Sequence, residues 1–282
     1  MIHCKALNRD FESKTEMFNA LRIEKDEIIS LKKKMIQKSY EKGISVTAKV
    51  LDITKLSEQV KAIKLDDRHY YIAVNSTRIL DGHDDLHLDP IWNVTVKAQQ
   101  GKNYLVDTHV LSVGTTIARK EHIEMLVAKV PFSMVGKPYK GNTVILIYKI
   151  PKDKIIHEKA KEWLDSGDDI EASVRMQYVT IDFAMDSDEK GDETWKRNFD
   201  KYHRIIANKE EFEEILFFWA VSEAKNINES SLVLFGSNSS TVQIIEDNKT
   251  KEAAEQALLE KTEAAEQALQ ESKKEFYKHL TN

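Results

Sequence analysis

DDIEASVRMQYVTIDFAM, residues 168–185, is the stretch on which the fold of this 282-residue chain depends. Its apolar residues recur at every second position, which predicts a β-strand with one face in the core. The predicted core face comprises Ala172, Val174, Met176 and Tyr178. Ser173 and Arg175 fall on the opposite face, which is half polar. A polar strand face suits a catalytic nucleophile beside a cleft, and it equally suits an ordinary solvent-exposed surface.

The composition is that of a globular protein rich in charged helix: 41% of the residues are hydrophobic and 32% are charged. The net charge of -5 gives no overall basic bias toward nucleic acid. Because Cys4 is the single cysteine, an internal disulfide framework and a cysteine-based zinc site are excluded, and a reducing cytosol is the simplest setting. The sequence has neither a signal-peptide core nor an apolar run of about 18 residues, so we expect no membrane span.

Long helices are predicted at both ends of the chain. Residues 11–41 have apolar side chains at helical spacing. EAAEQAL occurs at 252–258 and again at 263–269, and this 11-residue offset is typical of a nearly straight or slightly right-handed coiled coil. The second helix would pack against a partner, its own copy or the N-terminal helix, or would stand alone in solvent. We therefore divide the chain into segments 1–43, 44–247 and 248–282.

The middle segment predicts a mixture of strands and helices. Strands are expected at 44–53, 70–79, 94–98, 103–106, 141–150, 219–225 and 230–235, and helices at 56–64, 157–166 and, in large part, 195–218. LDGHDDLHLDPIW, residues 80–92, is interpreted as a solvated polar loop. Its His and Asp side chains could hold a metal, but their spacing matches no metal-binding template, and no metal or cofactor is expected.

Two polar residues outside the central strand stand out. His109 follows a predicted strand in YLVDTHVLSVG, where it could act as a catalytic base or could simply be hydrogen-bonded in a loop. Glu229 lies in NESSLVLFGSNSST. Possible rival nucleophiles in this run are Ser231, Ser237, Ser239 and Ser240, although a turn role is expected for the last three.

Four stretches in this order resemble the phage prohead (capsid-maturation) serine proteases, which share a fold with the herpesvirus assemblin proteases. LDGHDDLHLDPIW is similar to the family's early histidine–aspartate segment, and YLVDTHVLSVGTTIA to its catalytic-histidine segment. IEASVRMQYV resembles its serine strand, and NESSLVLFGSNSST its closing strand. The resemblance covers roughly residues 70–245.

The resemblance implies that Ser173 is the nucleophile, His109 the general base and Glu229 the third catalytic residue. Asp182 and His203 are reserve candidates for the third position. One departure concerns Arg175, where the family commonly has glycine. The arginine could help to hold the oxyanion, or it could mark a decayed site.

By the same resemblance, the fold expected is α+β, with an antiparallel β-barrel-like protease core surrounded by helices and flanked by long N- and C-terminal helices. The function expected is that of a phage-encoded serine endopeptidase in the host cytoplasm, inside the assembling prohead. It would cut scaffold segments, the major capsid protein and itself, and would self-associate through its terminal helices, with no membrane or specific nucleic-acid partner. The alternatives are a non-catalytic scaffold protein that retains the protease fold and a small-barrel binding module. A basic, aromatic-studded strand face, which would favour nucleic acid, is missing from the sequence.

Overall fold

The computed structural model describes residues 1–38, 46–47, 65–167 and 170–234, which fold as a mixed α+β unit. Its α-helices are α1 (Lys14–Lys34), α2 (Asn93–Ala98), α3 (Glu158–Ser166) and α4 (Glu193–His203). The strands before residue 100 are β1 (Ile2–Cys4), β2 (Arg9–Phe11), β3 (Gln37–Lys38), β4 (Val46–Thr47), β5 (His69–Ser76) and β6 (Asp85–His87). Those after it are β7 (Tyr104–Asp107), β8 (Thr116–Ala118), β9 (Glu124–Pro131), β10 (Asn142–Pro151), β11 (Glu171–Met185) and β12 (Phe217–Val233).

The predicted central strand is β11, which pairs antiparallel with β12 along its whole length, from Glu171 opposite Val233 to Met185 opposite Phe217. The predicted alternation is confirmed, because the four core-face residues are at most 2% exposed while Arg175 is partly exposed. Ser173 departs from this pattern: it lies on the polar face and is nevertheless fully buried.

Strand β12 is one continuous strand, so the prediction of two strands at 219–225 and 230–235 is wrong. The polar residues between them stay in the sheet because the β11–β12 register shifts by a bulge between Val174 and Met176. Asn228 absorbs part of the irregularity with a left-handed backbone (φ 66°), a conformation that asparagine tolerates better than most residues.

Two larger sheets share the core. One has seven strands in the order β3-β11-β12-β7-β8, with β4 on β11 and β6 on β12, and the other has the order β5-β10-β9. β5 packs against β11, which brings the sheets face to face. The expected barrel is not confirmed, because no backbone ladder joins one sheet to the other among the described strands and no closed barrel results.

The N-terminal helix is shorter than the predicted 11–41, because the β1–β2 hairpin precedes it and the backbone becomes extended at Met35, ahead of β3. The Ser13 hydroxyl accepts from the Glu16 amide (3.2 Å) and caps the first turn. The helix buries the apolar side chains Met17, Phe18, Leu21 and Ile28 and packs on β11. No helix among the described residues is long and apolar enough to cross a bilayer.

Other corrections concern short segments. Residues 94–98, predicted as a strand, belong to helix α2, which continues directly from a 3-10 turn that Pro90 helps to start. Residues 80–92 are not a solvated loop, since they contain the buried strand β6. The helix predicted at 195–218 ends at His203 and gives way to β12. The predictions at 70–79, 103–106, 141–150 and 157–166 are confirmed as β5, β7, β10 and α3. The helices predicted at 56–64 and 248–282 lie outside the described residues.

Candidate active site

Three neighbouring strands position the candidate residues. β7 runs parallel to β12, with Val106 opposite Ser231, and β11 runs antiparallel on the other side of β12, with Ser173 opposite the same Ser231. Residues directly opposite each other share a face of the sheet, and so do residues two apart on one strand. Ser173, Ser231 and Glu229 therefore lie on one face.

His109 is brought over this face by a sharp turn at the end of β7. Thr108 and His109 both have left-handed backbones, with φ of 47° and 57°. This conformation is uncommon for residues other than glycine, especially a β-branched one, and it clusters at functional sites. The turn is held by backbone hydrogen bonds from the Thr108 amide to the Leu232 carbonyl (3.0 Å) and from the Val110 amide to the Asp107 carbonyl (3.0 Å).

The imidazole of His109 is paired with the carboxylate of Glu229. Nδ1 lies 2.9 Å from Oε1 and 3.1 Å from Oε2. An ionised carboxylate only accepts hydrogen bonds, so this geometry fits the tautomer in which Nδ1 is the donor and Nε2 is the ring nitrogen that can act as a base. The side chains are 1% and 0% exposed, which makes the pair strong and leaves little freedom for the ring to rotate.

The hydroxyl of Ser231 is engaged with the backbone. It accepts from the His109 amide (2.8 Å) and lies within donor distance of the Val106 carbonyl (3.0 Å) and the Leu232 carbonyl (3.1 Å). This serine thus fixes the turn that carries the histidine, and it is poorly suited to be the nucleophile. Ser173, its partner across the ladder, is the serine predicted as the nucleophile, and it lies on the same face.

The reserve candidates lie elsewhere. Asp182 is nine residues farther along β11, roughly 30 Å at the usual strand rise, and pairs with Ala220. His203 is at the end of α4, where its ring stacks on Phe199 with 5.0 Å between centroids and burial lowers its pKa. Of the three candidates for the third position, Glu229 is the one that contacts His109.

The opposite face of the bulged segment is also anchored by polar contacts. The Asn226 amide nitrogen donates to the Tyr148 hydroxyl of β10 and to the Ser230 hydroxyl (3.1 Å). Burial is the main cause that raises the pKa of Tyr148 far above its ordinary value, so the hydroxyl stays neutral. These contacts tie the segment that ends at Glu229 to the second sheet.

A second buried polar network was missed from the sequence. The Tyr178 hydroxyl lies 2.9 Å from His87 Nε2 and donates to the Asp85 carboxylate (3.1 Å), which also accepts from Lys32 of α1 (2.6 Å). The alternation of Asp85, Leu86, His87 and Leu88 was the available signal for strand β6. In the described parts of the chain, no three His, Cys, Asp or Glu side chains are grouped so that they could hold a metal ion.

Comparisons of the whole chain with protein-family models, with curated proteins and with solved structures found no match.

Proposed function

We propose that the chain is a serine endopeptidase in which Ser173 is the nucleophile, His109 the general base and Glu229 the group that orients and stabilises the histidine. The observation that carries this proposal is the buried His109–Glu229 pair on the same sheet face as Ser173. A serine hydroxyl is a poor nucleophile until an imidazole takes its proton, and the imidazole needs an acceptor at its other nitrogen.

The proposed reaction is acyl transfer. Ser173 Oγ attacks the peptide carbonyl carbon while His109 Nε2 takes the hydroxyl proton, and Glu229 stabilises the resulting imidazolium through Nδ1–H. His109 then gives that proton to the leaving amine, which breaks the C–N bond. A water molecule, deprotonated by the same nitrogen, releases the acyl group from Ser173 and restores the hydroxyl.

The resemblance in sequence supports a phage prohead-maturation setting for this activity. The substrates would be the major capsid protein, scaffold segments and the chain itself, within the assembling prohead in the host cytoplasm. In this proposal the two sheets correspond to the barrel-like protease core, and the C-terminal helix predicted at 248–282 serves self-association and scaffolding. No cofactor takes part in the chemistry.

A specific observation favours a second function, that of a non-catalytic scaffold protein with a retained protease fold. Ser173 and Glu229 are 0% exposed, so a peptide cannot reach the nucleophile in this conformation. Arg175, which replaces the family's glycine, is compatible with either function. A protease of this structure must open before it can cleave, which would keep it inactive until assembly.

The experiment is intact-mass spectrometry over time of the wild-type chain beside Ser173→Ala, with and without assembling cognate capsid protein. We expect fragments from the wild type and none from Ser173→Ala or His109→Ala. Glu229→Gln keeps the shape of the side chain but removes its charge, and we expect it to cleave about 10² to 10⁴ times more slowly.

Folding of each variant is checked by circular dichroism and thermal unfolding. Processing by a folded Ser173→Ala chain would refute the assignment of the nucleophile. Normal capsid assembly without any cleavage, by the wild type and Ser173→Ala alike, would favour the scaffold function.

A further inference from the structure

A basic cavity of about 430 Å³ lies where the end of β5, the loop before β10 and the segment after α4 meet. The chain as a whole has a net charge of -5, so an excess of positive charge here is a local feature. A concave site with several converging cations is suited to a small anion. The charged side chains that line it are four cations and one carboxylate: Arg78, Lys140, Arg204, Lys209 and Glu210.

Arg78 is held rigidly at the side of this cavity. Its backbone is left-handed (φ 67°), which is uncommon for a long side chain and clusters at functional sites. Its amide donates to the His87 carbonyl (2.8 Å), and its carbonyl accepts from the Ala207 amide (2.8 Å). Nε and Nη2 donate to the two carboxylate oxygens of Asp89 (2.8 and 2.5 Å). The guanidinium is therefore already oriented, and Nη1 donates to no acceptor among the described residues.

The other three cations have no carboxylate partner. Lys140, Arg204 and Lys209 form no ion pair with any of the residues that the structure describes. Arg204 donates through Nε to the Lys201 carbonyl (3.1 Å), and its side chain is otherwise exposed. Like charges that face one cavity repel each other, and an anion that bridges them removes this repulsion.

The arrangement suits phosphate groups better than a carboxylate. The cations come from three separate segments of the chain, so they approach the cavity from different directions. A planar carboxylate pairs best with one guanidinium through two parallel bonds. A phosphate group has about -1.5 to -2 charges and three oxygens that accept from several donors at once. A volume of about 430 Å³ is within the range of small-molecule sites and leaves space for a second phosphate group.

The cavity is distinct from the candidate active site. Arg78 is bonded to His87 of β6, which lies opposite Val221 of β12. Ser231 is ten residues farther along β12, roughly 30 Å at the usual strand rise. An anion in the cavity is therefore remote from Ser173, and its binding does not depend on the proposed function.

We propose that this cavity binds a soluble anion with two or more phosphate groups, either free diphosphate or the diphosphate part of a nucleotide. Arg78 supplies a donor whose orientation is fixed by the fold. Lys140, Arg204 and Lys209 supply charges that close on the ligand and set its affinity.

Binding is measured by isothermal titration calorimetry of the full-length chain with inorganic pyrophosphate, without divalent cations. We expect one site that binds pyrophosphate at least tenfold more tightly than malonate, a dicarboxylate of similar length. The double variant Arg204→Gln, Lys209→Gln should weaken pyrophosphate binding at least tenfold. The matched control, Arg119→Gln with Lys120→Gln, removes the same two charges from exposed residues outside the cavity and should bind as wild type.

The controls separate a built site from a general effect of charge. Equal weakening by the two double variants, or equal affinity for pyrophosphate and malonate, overturns the proposal. It is also overturned if the wild type binds neither pyrophosphate nor ADP. Tighter binding of ADP than of pyrophosphate supports a nucleotide as the ligand, and equal binding supports free diphosphate. Circular dichroism and thermal unfolding verify that each variant is folded.

Discussion

Asp84 carries a charge that the fold disfavours. It lies in the turn before β6 with a left-handed backbone (φ 59°), and its carbonyl accepts from the Trp219 amide (2.8 Å). Burial raises the pKa of Asp84 to about 6, against the opposing attraction of Lys5 and Lys32. In the unfolded chain an aspartate has a pKa near 3.9, so the folded protein binds this proton more tightly.

We predict that Asp84→Asn stabilises the protein at pH 7.5 and not at pH 4. The proton on Asp84 favours the folded state below about pH 4, and this contribution is lost as the pH rises through about 6. Asparagine has the shape of the neutral acid and tolerates the left-handed backbone. Urea unfolding at both pH values should show a gain of about 1 to 2 kcal/mol at pH 7.5. The exposed Asp67→Asn serves as control, and an equal gain at both pH values would contradict the role of this titration.

At the scale of single residues, the sequence predicted a pair of side chains from a motif, but it could not predict contacts that depend on how two distant strands align. Glu229 was predicted to accompany His109, and their side chains are in contact. Ser231 was a rival nucleophile that the pattern alone could not exclude. Its hydroxyl binds the His109 turn because the register of β7 and β12 places Ser231 opposite Val106, and the register between two strands far apart in the chain leaves no periodic trace in a sequence.

Helix α1 packs apolar side chains into the core, and its Lys32 also forms an ion pair with a buried carboxylate. Its Lys32 reaches the Asp85 carboxylate of β6 (2.6 Å), and the two side chains are 12% and 0% exposed. Arg22, ten residues before Lys32 on the same helix, forms an ion pair with Asp192 at the start of α4. The helix therefore stabilises the sheet that carries Ser173, in addition to the self-association expected of it from the sequence.

We predict that Lys32→Met destabilises the protein by about 3 kcal/mol, because it leaves a buried carboxylate without its cation. Lys34→Met, in the same helical turn but exposed, should change the free energy of unfolding by less than about 0.5 kcal/mol. Both are measured by urea unfolding. Adding Asp85→Asn to Lys32→Met removes the buried carboxylate and should recover part of the loss, whereas an additive double variant would show that the two residues act independently.

Helices and strands were predicted correctly where the periodic pattern of apolar residues was long, and were missed where that pattern covered only a few residues. β10 and β11 have extended apolar patterns and were found. β6 has three residues, and its polar members Asp85 and His87 are buried against partners from α1 and β11 that are distant in sequence. Residues 94–98 alternate like a strand, yet the turn that begins at Pro90 continues into a helix there.

For the whole molecule, the sequence predicted the α+β class but not the way in which the sheets meet. Strand existence follows from local periodicity, whereas closure into a barrel depends on stagger and edge pairing between strands far apart in the chain. In the described residues, β5-β10-β9 remains a separate ladder from the seven-stranded sheet. Ser173, which the alternation placed on a half-polar face, is nevertheless buried.

Because Ser173 is buried, the candidate active site is closed to substrate in this conformation. Ser173 and Glu229 are 0% exposed, and the side chain of His109 is 1% exposed. We predict that a small fluorophosphonate, which forms a bond to an activated serine and releases fluoride, labels Ser173 only slowly in native buffer. Local opening has a lower free-energy cost than global unfolding, and urea reduces that cost further.

Labelling in urea well below the unfolding midpoint should therefore accelerate at least tenfold, while circular dichroism remains native. Mass spectrometry after proteolysis locates the adduct, and Ser173→Ala should remain unlabelled throughout. Rapid labelling of Ser173 without urea would show that the site is open in solution. An adduct at Ser231 instead would mean that the β12 hydroxyl, and not the one on β11, is activated by His109.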